Sequence, residues 1–303
     1  MLQHRNVDQQ LIPEILLALP AWTDRDSLEQ ITNQAVARLR RGRRNIANSL
    51  GWLQNAEVRL DDWIRTDVAE YLDDPGFPEK RRVGIVQSLH RFNRWVLAYQ
   101  RFFNMLRPYL LRIEQQQGRA ARILELASGS GEFSLALAKI AQHAGMSLSV
   151  TGSDYFVEHV NSCKNKALKQ NLNVEFKQLN AFDLSGLPEH SYDLVFVAQS
   201  MHHFTPGQVA MMVHQSMRVA QTGFMGVDGQ RSLSLFTIVP SAGVLMRSTD
   251  FIHDAWITLR KFYTESELAM IAQIAAPKAQ VIARRSTLPG YSILTVMHPE
   301  NNA

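Results

Sequence analysis

Apolar residues recur at helical spacing through the first hundred positions, and then the period changes. After Thr23, the residues Leu28, Ile31, Ala35, Val36 and Leu39 fall three or four apart, and Thr23-Asp-Arg-Asp26 sets a hydroxyl three residues before a carboxylate, a capping-box arrangement. A second pattern (Val58, Leu60, Trp63, Ile64, Val68, Leu72) predicts a helix that stops at the turn cluster Asp73-Asp-Pro-Gly-Phe-Pro78. A third runs from Glu79 to about Leu106, and Pro108 is expected to kink or end it. Residues 1–115 therefore read as a helical region, with Gln115-Gln-Gln-Gly-Arg119 linking it to a second unit over 116–303.

From Ala121 onward, apolar runs of strand length alternate with helical patterns, the signature of an α/β fold with a mostly parallel sheet covered on both faces. Strands are predicted at 122–126, 148–152, 174–179, 192–198 and 223–228. The stretch 232–260 is ambiguous between strand and buried helix. Thr264-Glu-Ser-Glu267 is another capping box, and strands near 279–284 and 291–297, separated by Leu288-Pro-Gly290, are expected to pair antiparallel at a sheet edge.

Composition narrows the class. A hydrophobic share of 46% and a charged share of 20% fit a soluble globular chain, and no apolar run approaches the roughly 20 residues a membrane span needs. Cys163 stands alone, which excludes an internal disulfide and a multi-cysteine zinc site. With no signal-like N-terminus, the expected setting is cytoplasmic. The net charge of +4 is partly local, in Arg38, Arg40, Arg41, Arg43 and Arg44. These arginines read either as a dock for nucleic acid or anionic lipid, or as the solvated end of a helix. The absence of interleaved aromatics favours the second.

In an open parallel sheet, ligands bind beyond the carboxyl ends of the strands. After the first strand comes Ala127-Ser-Gly-Ser-Gly131, a small-residue turn in which Ala127, Ser128, Gly129 and Gly131 let a ligand approach the backbone. After the second come Asp154, 23 residues past Gly131 and suited to two ribose hydroxyls, and Tyr155. After the third come Asn180, Ala181 and Phe182, for a base edge and face, and after the fourth Gln199-Ser-Met-His-His203. The turn lacks the third glycine of a dinucleotide fingerprint, and Glu125 before it would repel a pyrophosphate but suit a cationic nucleoside.

Glu125-Leu-Ala-Ser-Gly-Ser-Gly131, Asp154, Asn180-Ala181 and Ser191-Tyr-Asp-Leu-Val-Phe-Val-Ala-Gln-Ser-Met-His-His-Phe204 together resemble the motifs of class I S-adenosylmethionine-dependent methyltransferases, particularly small-molecule enzymes of the ubiquinone and menaquinone biosynthetic type. The resemblance covers about 120–298. It implies a Rossmann-like seven-stranded sheet with a terminal antiparallel pair, S-adenosylmethionine as cofactor with S-adenosylhomocysteine as product, and a small, aromatic or amphipathic acceptor methylated on oxygen or carbon. The helical region would then cap the active site. Ala127 stands for the usual first glycine, which implies a turn without positive φ there, and Asn180 stands for the usual aspartate, binding adenine through a neutral side-chain oxygen.

His202 and His203 sit at the mouth of that site as candidate bases, His203 slightly favoured, against the reading in which both are packing residues. No metal site is expected, because adjacent positions rarely point together and no third ligand is evident. Tyr99, Phe102, Phe103, Met105, Met246, Trp256 and Tyr263 are candidate acceptor-cavity walls, with core packing the plainer reading; Asp228 would point to the same rim, and Arg260 and Tyr263 toward substrate. Two other functions stay open: an RNA methyltransferase docking through Arg38 to Arg44, and a non-catalytic nucleoside-binding module.

Overall fold

The computed structural model describes residues 4–74, 76–286 and 290–299. Strands β1 (Ala121–Leu126), β2 (Leu148–Asp154), β3 (Val174–Gln178), β4 (Tyr192–Ala198), β5 (Ala220–Gly229), β6 (Gln280–Arg285) and β7 (Tyr291–Met297) form one sheet in the order β3-β2-β1-β4-β5-β7-β6. The first five run parallel, and β7 lies antiparallel to both β5 and β6. Strand order reverses between β1 and β4, where a ligand crevice is expected. The expected parallel sheet with its terminal antiparallel pair is thus present; Leu288 and Pro289, in the turn between the last two strands, lie outside the described residues, as does Pro75.

Eleven helices are described: α1 (Arg5–Leu17), α2 (Arg25–Ile46), α3 (Trp52–Ile64), α4 (Glu79–Trp95), α5 (Ala98–Gln117), α6 (Glu132–His143), α7 (Val157–Lys169), α8 (Pro206–Val219), α9 (Leu235–Leu245), α10 (Thr249–Lys261) and α11 (Glu265–Ala275). One sheet face packs Leu124, Leu126, Val195 and Val197 under α8, α11 and the α2 residues Leu28, Ala35, Val36 and Leu39. The other packs Ile123, Leu194 and Phe196 under α6 and the α5 residues Phe102, Leu106 and Leu110. Helices from before residue 115 therefore enter both cores. The expected boundary there separates elements rather than cores.

Several predicted elements differ in detail. The long third helix breaks into α4 and α5, because Leu97 adopts φ 53. No glycine or proline marks that break. Pro108 neither ends nor interrupts α5, whose buried Leu106 and Leu110 anchor it on either side. α3 ends at Ile64, leaving Val68 exposed. The N-cap of α2 is Asp24, with Ser27 as its reciprocal partner, rather than Thr23 with Asp26. The ambiguous stretch resolves into α9 and α10.

Of the arginine cluster, Arg43 is buried and Arg40 partly buried, while Arg44 is exposed. Arg43 is 3% exposed and donates to both oxygens of Asp8 at 2.7 and 2.8 Å and to Glu267 at 3.1 Å. Arg40 donates to Glu267 at 2.9 Å, and Arg44 to Asp62 at 2.6 Å. Glu267, fully buried on α11, also accepts from Arg65. The nucleic-acid dock expected as one reading loses three of its arginines to these pairs, and Arg38 and Arg41 stay exposed. Among the described residues no helix is long and apolar enough to cross a membrane.

Candidate active site

β1 carries buried side chains on both faces, so its pattern alone does not say which way Glu125 points. It points inward, where Ser134 of α6 donates its hydroxyl to Glu125 Oε2. Burial pushes the carboxyl up to about 8, against the opposing hydrogen bonds of Ser134. The group is 2% exposed and lies under the turn, where burial favours its neutral form. This corrects the expectation that Glu125 presents negative charge to a cationic ligand. A raised carboxyl contributes its stability below the unfolded value of about 4.3 and loses it as pH rises through about 8, since the native state binds the extra proton in that window. Glu125→Gln is expected to flatten the fall of unfolding free energy across that range, measured by urea denaturation in a pH series; an unchanged slope would count against the assignment.

The turn itself is strained in an unexpected place. Ala127 adopts φ 51, against the expectation that no positive φ is needed there. Ser128 N donates to Ser153 O at 2.8 Å and Ser200 Oγ to Ala127 O at 3.2 Å, which fixes the chain on both sides of it. An L-residue in this region costs about 1–2 kcal/mol, so Ala127→Gly is expected to gain about 0.5–1 kcal/mol after glycine's greater entropy loss; thermal unfolding checks it. Gly131, at φ 73, has no room for a side chain: a Cβ would lie 2.6 Å from Cys163 Sγ. Gly129 differs, since a Cβ there would meet nothing within 4 Å. The space in front of Gly129 is open, and beside it the Ser128 hydroxyl is buried without a hydrogen-bond partner.

Asp154 closes this turn from the end of β2. Its Oδ2 accepts from Gly129 N at 2.8 Å, and its Oδ1 from Phe156 N at 3.0 Å. His159 Nδ1 lies 3.2 Å from the same Oδ1. Burial pushes the Asp154 carboxyl up, but the bonds from His159, Phe156 and Gly129 more than reverse this and hold it below the usual carboxylate range. Tyr155 is exposed beside it. Asn180 is also exposed, but its Oδ1 accepts from Phe182 N at 3.0 Å to cap its own turn. The oxygen expected to meet adenine is thus already engaged. Ala181 is buried in the core, and Phe182 meets Phe204 edge-on at 5.2 Å.

Gln199, at φ 53, pairs its amide with Asn93 of α4 at 2.9 and 3.3 Å. Three residues earlier on α4, His90 bridges Tyr99 OH and Ser130 Oγ at 2.8 Å each. These two α4 residues reach the glycine turn and the end of β4, and neither is marked by the apolar periodicity of the helix.

Beyond Gln199, a short 3-10 turn, Met201–His203, carries the histidines. Asp228 at the end of β5 accepts from His202 N at 2.8 Å and lies 2.8 Å from His202 Nδ1. His203 Nδ1 is 3.5 Å from Asp73 Oδ1. Burial lowers the His203 pKa, but Asp73 and the nearby Glu70 and Asp228 outweigh it and leave it raised. The better-held imidazole is therefore His202, not the favoured His203. The two rings are 4.1 Å apart, and Glu70 brings a carboxylate within reach of both. Both premises against a metal site are thereby overturned: the adjacent histidines do point together, and a third donor is present.

The same residues form the polar end of a cavity of about 210 Å³ whose walls include Ile85, Leu89, Phe92, Val239, Phe251, Leu259 and Phe262. None of the seven aromatic and methionine residues expected to wall it does so. Phe102 and Phe103 are core, Trp256 is 47% exposed, and Tyr263 donates to Phe204 O at 2.6 Å. Arg260 donates to Ile64 O at 2.6 Å, a structural bond.

A family profile described as "Methyltransferase domain" matches residues 123–223, from β1 into β5. Over that stretch, a third of the chain, the protein is similar to a methyltransferase domain. The match takes in the glycine turn, Asp154, Asn180 and both histidines. The domain is 36% identical over 88 residues to the ubiquinone/menaquinone biosynthesis C-methyltransferase UbiE of Rickettsia bellii, covering 28% of this chain and 35% of that protein. It is 30% identical over 114 residues to the release factor glutamine methyltransferase of Pasteurella multocida, covering 35% of this chain and 38% of that one. The matched stretch thus spans little more than a third of each relative. In three dimensions the chain is similar to the plantazolicin methyltransferase BpumL, solved with S-adenosylhomocysteine, at a TM-score of 0.55 and 12% identity over 82% of this chain and all of that one. The plantazolicin methyltransferase BamL, solved with a triazolic desmethylPZN analog and S-adenosylhomocysteine, gives 0.54 and 13% over 81% and 99%. These structures share the methyltransferase domain's fold and extend the likeness to the helices around it.

Proposed function

We propose that this chain transfers a methyl group from S-adenosylmethionine to a small amphipathic acceptor, leaving S-adenosylhomocysteine. The observation that carries the reading is the ionised Asp154 at the end of β2, beside open space at Gly129 and the unpartnered Ser128 hydroxyl. A ligand with a ribose and a polar amino-acid tail fits that set: two hydroxyls for Asp154, and a polar group for Ser128. S-adenosylmethionine supplies a sulfonium-activated methyl group, so alignment is the protein's main task. Gly129, Gly131 and Ala127 shape the turn, Tyr155 and Asn180 would flank the base end, and Gln199 lines the acceptor cavity. Glu125 acts as the turn's uncharged support.

The cavity supports the acceptor class. Its walls are apolar and its polar groups gather at one end, around Glu70, His202, His203 and Asp228. An acceptor with an apolar body and one polar reacting head suits it. The biosynthetic role printed for the Rickettsia relative agrees with such a molecule. Against the RNA reading, Arg40, Arg43 and Arg44 are each paired with a carboxylate of the chain. Calorimetric titration with S-adenosylhomocysteine tests the proposal. Saturable binding is expected, and its absence at hundreds of micromolar would overturn it; transfer of labelled methyl groups to a lipophilic extract fraction would separate enzyme from passive binder.

A further inference from the structure

One donor atom from each of Glu70, His202 and His203 lies within 4.8 Å of the other two at the polar end of the cavity. We propose that these three side chains hold a divalent cation of the zinc type. The inference stands beside the methyl-transfer reading and does not depend on it.

Glu70 gives the first reason. It is 3% exposed, and its Oε1 is buried with no hydrogen-bond partner. A buried carboxylate oxygen whose one contact is a long ion pair keeps unmet acceptor capacity, and a coordinated cation would fill it. The nearest positive group is the Lys261 ammonium, 3.5 Å from Glu70 Oε1 and 3.5 Å from Asp73 Oδ2.

The second reason is the way the imidazoles are held. Neighbouring residues ordinarily diverge, but the short turn Met201–His203 sets these rings 4.1 Å apart. Each turns Nδ1 to a carboxylate, Asp228 at 2.8 Å for His202 and Asp73 at 3.5 Å for His203, and so reserves its other nitrogen for a ligand. A carboxylate behind each metal-binding histidine fixes its tautomer and raises its basicity.

Charge is the third. Glu70, Asp73 and Asp228 set three carboxylates around the two imidazoles, and Lys261 pairs with two of them. A divalent cation suits so acidic a surround. Two nitrogens and one carboxylate oxygen make a donor set of the open, zinc-binding kind, with a position left facing the cavity. There an oxygen of a bound molecule would find a Lewis acid.

The full-length chain, freed of metal with a chelator, should be titrated with cobalt(II), followed by its visible absorption and then by displacement with zinc(II). Binding of about one cobalt per chain with imidazole-type bands is expected. Glu70→Gln and His203→Gln should each weaken it at least tenfold, and Asp228→Asn by about 10–100-fold through loss of the supporting carboxylate. The His203 side chain is 28% exposed against 3% for Glu70, so its variant keeps the test readable if substitution at Glu70 prevents folding. Absence of saturable binding, or binding unchanged in the His203 variant, overturns the site. No acceptor or nucleoside is present in the titration. Cobalt binding without S-adenosylhomocysteine binding would therefore remove only the methyl-transfer reading, and the reverse only the cation site.

Discussion

Replacing Glu267 with alanine is expected to lower the free energy of unfolding by about 3–5 kcal/mol, the cost of stranding buried charge. The carboxylate is 0% exposed and faces Arg40 and Arg43 of α2 and Arg65 at the end of α3. It also caps its own helix, accepting from Thr264 N at 2.9 Å. Removing it leaves guanidinium groups with too little counter-charge and the start of α11 uncapped. Arg43 retains Asp8 and Arg65 retains Asp61, so the loss falls mainly on Arg40. Burial raises the Glu267 pKa, but the three arginines outweigh it and hold the carboxyl well below its usual value. A depressed carboxyl contributes its stability above the unfolded value of about 4.3 and loses it as pH falls toward the native one. The variant should accordingly lose most at neutral pH and converge with the wild type in acid. Urea denaturation at two pH values reads both effects; a loss below about 1 kcal/mol at neutral pH would mean that solvent already screens the cluster.

The second large effect is expected at Asp154. Its replacement by alanine should weaken S-adenosylhomocysteine binding by at least tenfold and up to about a hundredfold, since hydrogen bonds to a charged group are worth about 1.5–3 kcal/mol. Part of that loss is indirect, because the same carboxylate holds the backbone N–H groups of Gly129 and Phe156. Asp154→Asn separates the contributions. The amide can still accept from one backbone group but carries no charge, so an intermediate affinity is expected by calorimetry. Equal affinity for all three proteins would exclude Asp154 from the binding site.

The sheet was legible because its strands are short, apolar-rich segments bounded by small or polar residues and set between helical patterns. The ligand end was legible for a related reason, since small residues directly after a strand leave room for little else. The direction of Glu125 was not. A strand buried on both faces has no polar side to betray its phase, so a carboxylate on it reads equally well as rim or floor. Ala127 misled because a Cβ argues against positive φ, whereas the strain is imposed by bonds from Ser128 to Ser153 and from Ser200, residues remote in sequence. Glu70 was invisible for want of any pattern: it lies between α3 and α4, where the backbone is irregular and the chain's own periodicity is silent. Only the packing of α10 and the His202 turn gives it a role.

The order of the sheet has a consequence for how the protein is made. β7 is synthesised after β6 yet lies inside it, zipped between β6 and β5. While a ribosome is still extending the chain through α9, α10 and α11, β5 has only β4 beside it, and its Phe224 to Asp228 backbone waits for Val296 to Ser292. An apolar edge left open for that long, about 60 residues at 5–20 residues per second, is exposed for several seconds. The growing chain is thus most vulnerable to aggregation after its ligand-binding half is complete and before its sheet is closed.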